Sequence, residues 1–135
     1  MSSSREYAEY ITDQLSELDG IALRKMMGDY IVYYKGKVAG GIFDDRLLIK
    51  AVPSAGAFVK TPEYAIPYPT GKPMLFIDNV DDRWYLKALF EAIYDEIEYP
   101  KKNYKNFLLS RTAPNLNVQA LSQHLLLYII LNEYS

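Results

Sequence analysis

The stretch that decides the fold is "GDYIVYYKGKVAGGIFDDRLLIK", residues 28–50. It holds four of the chain's seven glycines, a pair of aspartates and a closing lysine. Two readings compete for it, a phosphate-binding loop and the turns of a small sheet. A phosphate loop needs G-x-x-x-x-G-K-[ST], and a dinucleotide loop needs G-x-G-x-x-G ahead of a helix. Gly36, Gly40 and Gly41 fit neither spacing. Residues Asp29 to Tyr34 are β-branched and aromatic, which is strand composition. Lys35-Gly36 then reads as a two-residue turn, with glycine taking the positive φ. Val38 to Phe43 forms a second strand, Asp44-Asp45 a second turn, and Arg46 to Ala51 a third strand. The stretch is thus an antiparallel meander. Gly40 and Gly41 lie inside a strand, where they let a helix or a bulge come close to the sheet.

Outward from this centre, residues 3–19 read as a helix. Ser3 and Glu6 have capping-box spacing, and Tyr7, Tyr10, Ile11, Leu15 and Leu18 make one apolar stripe. Gly20 is placed to end it. Residues 21–27, "IALRKMM", read as a connector with at most a helical turn. Beyond the meander, Pro53 to Lys60 has room for a brief helix. Four prolines between residues 61 and 73 allow no more than an edge strand near Tyr64 to Ile66. Pro73 to Ile77 reads as a further strand. Asp78 or Asp81 caps a helix running to about Glu98, buried through Leu86, Leu89, Phe90, Ile93 and Ile97. Pro100 ends it.

The 135 residues are enough for one domain with a buried core, and 50% hydrophobic content excludes general disorder. The absence of cysteine removes disulfides, thiol nucleophiles and Cys-based zinc sites, and fits a cytoplasmic setting. "MSSSREYAEY" lacks a secretory apolar core. The longest apolar run, Leu125 to Leu131, falls far short of the roughly 20 residues that span a bilayer, so no membrane role is expected. Residues 1–100 carry 11 basic and 16 acidic side chains, a net −5, while residues 101–135 carry four and one, a net +3. Such an acidic body argues against a broad DNA-binding face.

The chain therefore divides into a domain, residues 1–100, and an extension, residues 101–135. The extension opens with polar, basic "KKNYKN" and continues as "LNVQALSQHLLLYIILNEY". The latter reads as a helix apolar almost all round, which must be buried on several sides. Leu126 and Ile130 would lie in that contact, and a second subunit is the expected cover.

No catalytic or metal-binding constellation emerges, and no cofactor is expected. Asp44 and Asp45 are turn residues, Asp81 and Asp82 suit a helix's first turn, and Asp95, Glu96 and Glu98 suit a solvated helix face. His124 is the sole histidine and sits in an apolar segment. Tyr30, Tyr33 and Tyr34 raise nucleobase stacking, with packing or a protein interface as the favoured use. Lys101, Lys102, Tyr104, Lys105, Phe107 and Arg111 form a weak nucleic-acid signal, the basis of an alternative function as a nucleic-acid-binding protein. A ligand pocket would draw on Arg24, Lys50 and Asp78.

"LRKMMGDYIVYYKGKVAGGIFDDRLLIK", then the proline-rich stretch, then "MLFIDNVDDRWYLKALFEAIYDEI" resembles the TfoX N-terminal domain family, the TfoX/Sxy competence regulators and their stand-alone relatives. The resemblance covers about residues 3–98. Its motif positions are Met26, Gly28, Gly36, Asp45-Arg46-Leu47, Lys50 and the final helix. It implies a two-layer α+β domain, helices packed on one antiparallel sheet, similar to type III secretion chaperones, which are dimers. It implies a regulatory or protein-interaction role, with TfoX itself linked to natural transformation, and no catalytic residues. Residues 101–135 are too short for the C-terminal helical domain of full-length TfoX proteins.

Overall fold

The computed structural model describes residues 3–69 and 71–100. The described elements are α1 (Arg5–Gln14), β1 (Ile21–Met26), β2 (Asp29–Tyr34), β3 (Lys37–Ile42), β4 (Leu47–Ile49), α2 (Pro53–Phe58), β5 (Glu63–Ala65), β6 (Met74–Ile77) and α3 (Arg83–Ile93). The strands form one six-stranded sheet in the order β1-β2-β3-β4-β6-β5. Every neighbouring pair is antiparallel. The fold is α+β, with three helices against one antiparallel sheet. Residues 101–135, read from sequence as an apolar helical extension, lie outside the described residues.

The stretch 28–50 is the frame of that sheet, and its turns share one conformation. Met27 and Gly28 have φ of 56° and 91°, Lys35 and Gly36 of 51° and 85°, and Asp44 and Asp45 of 55° each. Two positive φ values in a two-residue loop match the right-handed twist of the strands they join. The last turn is closed by Phe43 and Arg46, each donating its N–H to the other's carbonyl at 2.9 and 3.1 Å.

Residues 21–27 are not a connector. Ile21 to Met26 pair with Tyr34 to Asp29 along six register positions. Leu, Arg, Lys and Met favour helix by propensity, but the hairpin with β2 overrides that preference. Gly20 does take a positive φ, 81°, yet α1 ends at Gln14, so Gly20 serves the entry to β1 instead. Its carbonyl accepts from the Lys35 N–H at 2.7 Å.

The helix caps also shift. Ser4, not Ser3, caps α1, its side chain accepting from the Tyr7 N–H at 3.1 Å. Asp82, rather than Asp78 or Asp81, caps α3 by accepting from the Tyr85 N–H at 3.1 Å. The last helix stops at Ile93 instead of running to Glu98. A looser turn follows, in which the Ile97 N–H still reaches the Ile93 carbonyl at 3.2 Å.

Two apolar clusters sandwich the sheet. On one face Val32, Tyr34, Ala39, Ile42, Leu47, Ile49, Leu75 and Ile77 meet the helical residues Ala8, Ile11, Ala55, Leu86, Leu89, Phe90 and Ile93. On the other, Ile31, Val38, Phe43, Leu48 and Met74 gather with Tyr68. The α3 stripe expected from sequence, Ile97 included, is buried throughout. Tyr10 of the α1 stripe is 38% exposed, and its hydroxyl donates to Asp81 ahead of α3.

Gly40 and Gly41 admit close approach, though not by a helix. A Cβ on Gly40 would strike the Leu48 carbonyl oxygen and lie 2.9 Å from Ile49 Cα. One on Gly41 would meet the Phe43 ring at 2.5 Å and the Tyr30 carbonyl oxygen at 2.7 Å. Beside them Ala39 is a bulge, since Val32 pairs with Gly40 and Tyr33 with Val38. Gly40→Ala is therefore expected to lower stability by about 2 kcal/mol or more. Gly56→Ala, whose Cβ would meet only the Tyr64 hydroxyl at 3.2 Å, should change it by less than about 1 kcal/mol. Urea unfolding of the two variants checks the contrast.

Candidate interaction surfaces

The aspartates of the opening stretch are spent on structure. Ser3 is buried at one end of the sheet, and its hydroxyl donates to Asp29 Oδ1 at 2.9 Å while lying 3.2 Å from the Ile42 carbonyl oxygen. The same hydroxyl oxygen accepts from the Asp45 N–H at 3.1 Å. Asp29 Oδ1 also takes the Asp44 N–H at 3.3 Å, and Asp45 Oδ1 takes the Ser4 N–H at 2.7 Å. The Ser3 N–H donates to the Gly28 carbonyl at 2.8 Å. This knot ties the start of α1 to two hairpin turns. Arg46 joins its own turn, Nε donating to the Phe43 carbonyl at 3.2 Å. Among the described residues no three His, Cys, Asp or Glu side chains are grouped to hold a metal ion.

Arg24, Lys50 and Asp78 do not converge. Arg24 sits on the outer strand β1, opposite Ile31. Leu47 pairs with Ile77 and Ile49 with Leu75, so Asp78 and Lys50 fall at opposite ends of the β4–β6 pair. Lys50 is instead an internal residue, only 6% exposed. Strand alternation puts it on the same face as Leu48, away from the helices. Burial lowers its pKa to about 8, opposed by the Glu98 carboxylate and reinforced by Lys72.

The tyrosines of β2 do not form one platform. Tyr30 and Tyr34 pack on the helix side, while Tyr33 packs against the opposite cluster. The Tyr34 ring meets Tyr94 edge-on at 5.3 Å. Nearby, Lys37 lies 4.0 Å above the Tyr94 ring and donates to the Tyr94 carbonyl at 3.1 Å. These aromatics bind their own chain's lysines. Lys101, Lys102, Tyr104, Lys105, Phe107, Arg111, His124, Leu126 and Ile130 lie outside the described residues.

One groove was not foreseen. A groove of about 430 Å³ opens between the end of α2, the β5–β6 pair and the start of α3. Phe58, Val59, Phe76 and Ile77 give it apolar lining, with Lys60, Glu63 and Asp78 among its polar residues. The Tyr85 phenol is pushed above its ordinary pKa by burial and then by Asp78. Two groove residues, Glu63 and Tyr85, adjoin exposed aromatics in the chain, Tyr64 at 54% and Trp84 at 62%. Ile66, just past β5, is 52% exposed. Trp84 was legible in principle, because it falls off the Leu86-Leu89-Phe90-Ile93 stripe.

An uncharacterized 12.7 kDa protein in the trpE 5′ region of Spirochaeta aurantia is 31% identical over 80 residues, spanning 59% of this chain and 70% of the relative. This chain belongs to the family of that spirochaetal protein. No family model matches the chain, and no solved structure matches it. No helix among the described residues is long and apolar enough to cross a membrane.

Lys50 supplies a pH test. Its ammonium form is disfavoured only in the folded state, so unfolding takes up a proton between about pH 8 and 10.5. Stability therefore rises with pH across that window, by at most about 1.4 kcal/mol per pH unit. Lys50→Met should be more stable than the parent at pH 7, with the advantage shrinking toward pH 10. Urea titrations at the two pH values check this, and an advantage independent of pH contradicts it.

Proposed function

We propose that the protein is a non-enzymatic, cytoplasmic interaction module of regulatory type that works as a homodimer. This is the class implied by its resemblance to the TfoX N-terminal domain family. The observation that carries the reading is the exposure of Trp84, Tyr64 and Ile66, the first two next in the chain to the groove residues Tyr85 and Glu63. Exposed large apolar side chains mark a contact surface more than a solvated one, and Trp and Tyr are the residues that most often anchor interfaces.

Strand β5 ends the sheet order, so a second copy related by a two-fold axis would place the same patch against itself. The edge is only three residues long, with Pro62 before it and Pro67 shortly after. Backbone pairing there contributes little, and Tyr64 and Ile66, on and just past that strand, supply most of the contact. The acidic and structural roles of Asp29, Asp44 and Asp45 support a non-enzymatic reading, since their hydrogen bonds already serve the fold.

Trp84, near the start of α3, is the chain's one tryptophan, so its fluorescence reports on whether the dimer covers it. Dilution of the full chain should halve the mass by light scattering and move the tryptophan emission to longer wavelength together. Tyr64→Lys should weaken association by about tenfold or more, the equivalent of roughly 1.4 kcal/mol. A monomeric mass through the micromolar range, with emission independent of concentration, overturns the dimer.

A further inference from the structure

The two edges of the sheet are unlike. Strand β5 is three residues long, with Pro62 before it and Pro67 shortly after. Strand β1, at the other end of the strand order, has six residues, no proline and an unbroken register with β2. One hydrogen bond fixes which of its backbone groups are used. The Lys35 N–H donates to the Gly20 carbonyl at 2.7 Å, one register position before the Ile21–Tyr34 pair. Opposed residues of an antiparallel pair alternate between bonded and non-bonded positions. Ala22, Arg24 and Met26 therefore bond to β2, and the N–H and C=O groups of Ile21, Leu23 and Lys25 point outward. Among the described residues, no backbone group outside the sheet bonds to those three.

A groove of about 370 Å³ borders this edge, between α1 and the β1–β2 pair. Ala8 and Thr12 of α1 line it together with Leu23, Lys25 and Tyr30. Leu23 and Tyr30 are half-buried and pack on the helix-side cluster. Arg5 and Glu9, also at the groove, pair with each other at 3.4 Å, so the net charge of the lining is that of exposed Lys25. Arg24, also exposed, lies on the opposite face of the strand. β1 has no acidic residue, so this edge is cationic on a body of net −5.

We propose that β1 takes up an extended acidic peptide of a partner protein as a seventh strand, with alternate side chains over the groove beside α1. In strand addition the main-chain bonds give affinity and the sites for alternate side chains give specificity. An antiparallel segment would set its first, third and fifth residues opposite Lys25, Leu23 and Ile21, on the helix side. Its second and fourth would lie opposite Arg24 and Ala22. Acidic residues at the first two positions and apolar ones at the third and fifth match this edge. Charges on an edge strand discourage pairing with a copy of itself, because a copy adds two more cations to the ladder, whereas opposite charges across strands attract.

The core Glu-Glu-Val-Thr-Val has the required pattern. A fluorescein-labelled peptide with this core should bind the full chain, with a rise in anisotropy, at about 50 mM salt, where exposed charges are little screened. Methylation of the first Val nitrogen, the donor to the Leu23 carbonyl, should weaken binding by about tenfold or more, and methylation of the Thr nitrogen, which points away from β1, by less than about threefold. The double substitution Arg24→Glu with Lys25→Glu should lose the acidic peptide by about tenfold or more and bind the core Lys-Lys-Val-Thr-Val instead. Hydrogen exchange at the Ile21, Leu23 and Lys25 amides should slow when the acidic peptide is added, while Ala22 and Arg24 exchange slowly throughout. β5 lies at the far end of the sheet, so failure of the β5 dimer leaves each readout unchanged. No anisotropy rise up to about 1 mM protein, equal losses from the two methylations, or slow exchange of the Ile21, Leu23 and Lys25 amides before peptide is added overturns the proposal.

Discussion

Leu47, Leu48 and Ile49 are consecutive residues of one strand, and none has any exposed surface. Alternate side chains of a strand point to opposite faces, so both faces of the sheet are dry at its centre. Antiparallel sheets commonly leave one face to water, and this one does not. Much of the remaining architecture obeys that constraint. Helices α1 and α3 cover one side through Ile11, Leu86, Leu89, Phe90 and Ile93. Strands β3 and β4 approach closely at Gly40, where a side chain would collide with the neighbouring backbone. Lys50, one residue past β4 and facing away from the helices, is carried into the interior and its charge is disfavoured there.

The stretch from Gly28 to Lys50 does its work as a frame. Its positive-φ turns set the twist of three hairpins together with Met27. Its aspartates anchor the chain's beginning, with Ser3 bridging Asp29 and Asp45. A serine flanked by two carboxylates could suggest chemistry, but each group here satisfies a backbone N–H or another member of the knot. These aspartates are thereby absorbed by the fold, and the exposed large apolar residues Tyr64, Ile66 and Trp84 lie elsewhere.

The sequence made the strands of the meander readable because their composition and two-residue turns agree with each other. It made the buried stripe of α3 readable because four of its residues repeat at helical spacing. β1 was hidden, since "IALRKM" has helix propensity and becomes a strand only by pairing with β2. The caps were off by one residue at α1 and by one or more at α3, because Ser3 and Ser4, or Asp81 and Asp82, are equivalent locally. Only tertiary contacts distinguish them: Ser3 is drawn into the knot, and Asp81 receives the Tyr10 hydroxyl. The groove was illegible because its walls come from three separated segments. Arg24, Lys50 and Asp78 looked alike as polar strand-end residues, and the strand order sends them apart.

Burial of the sheet on both faces is tested most directly by a pair of adjacent substitutions. Leu47 faces the helices and Leu48 faces the opposite cluster. Urea unfolding of Leu47→Ala and Leu48→Ala in the full chain should show losses of about 2–5 kcal/mol for both. A Leu48→Ala loss below about 1 kcal/mol, beside a full loss at Leu47, would mean that the second face is open to water and would contradict double burial.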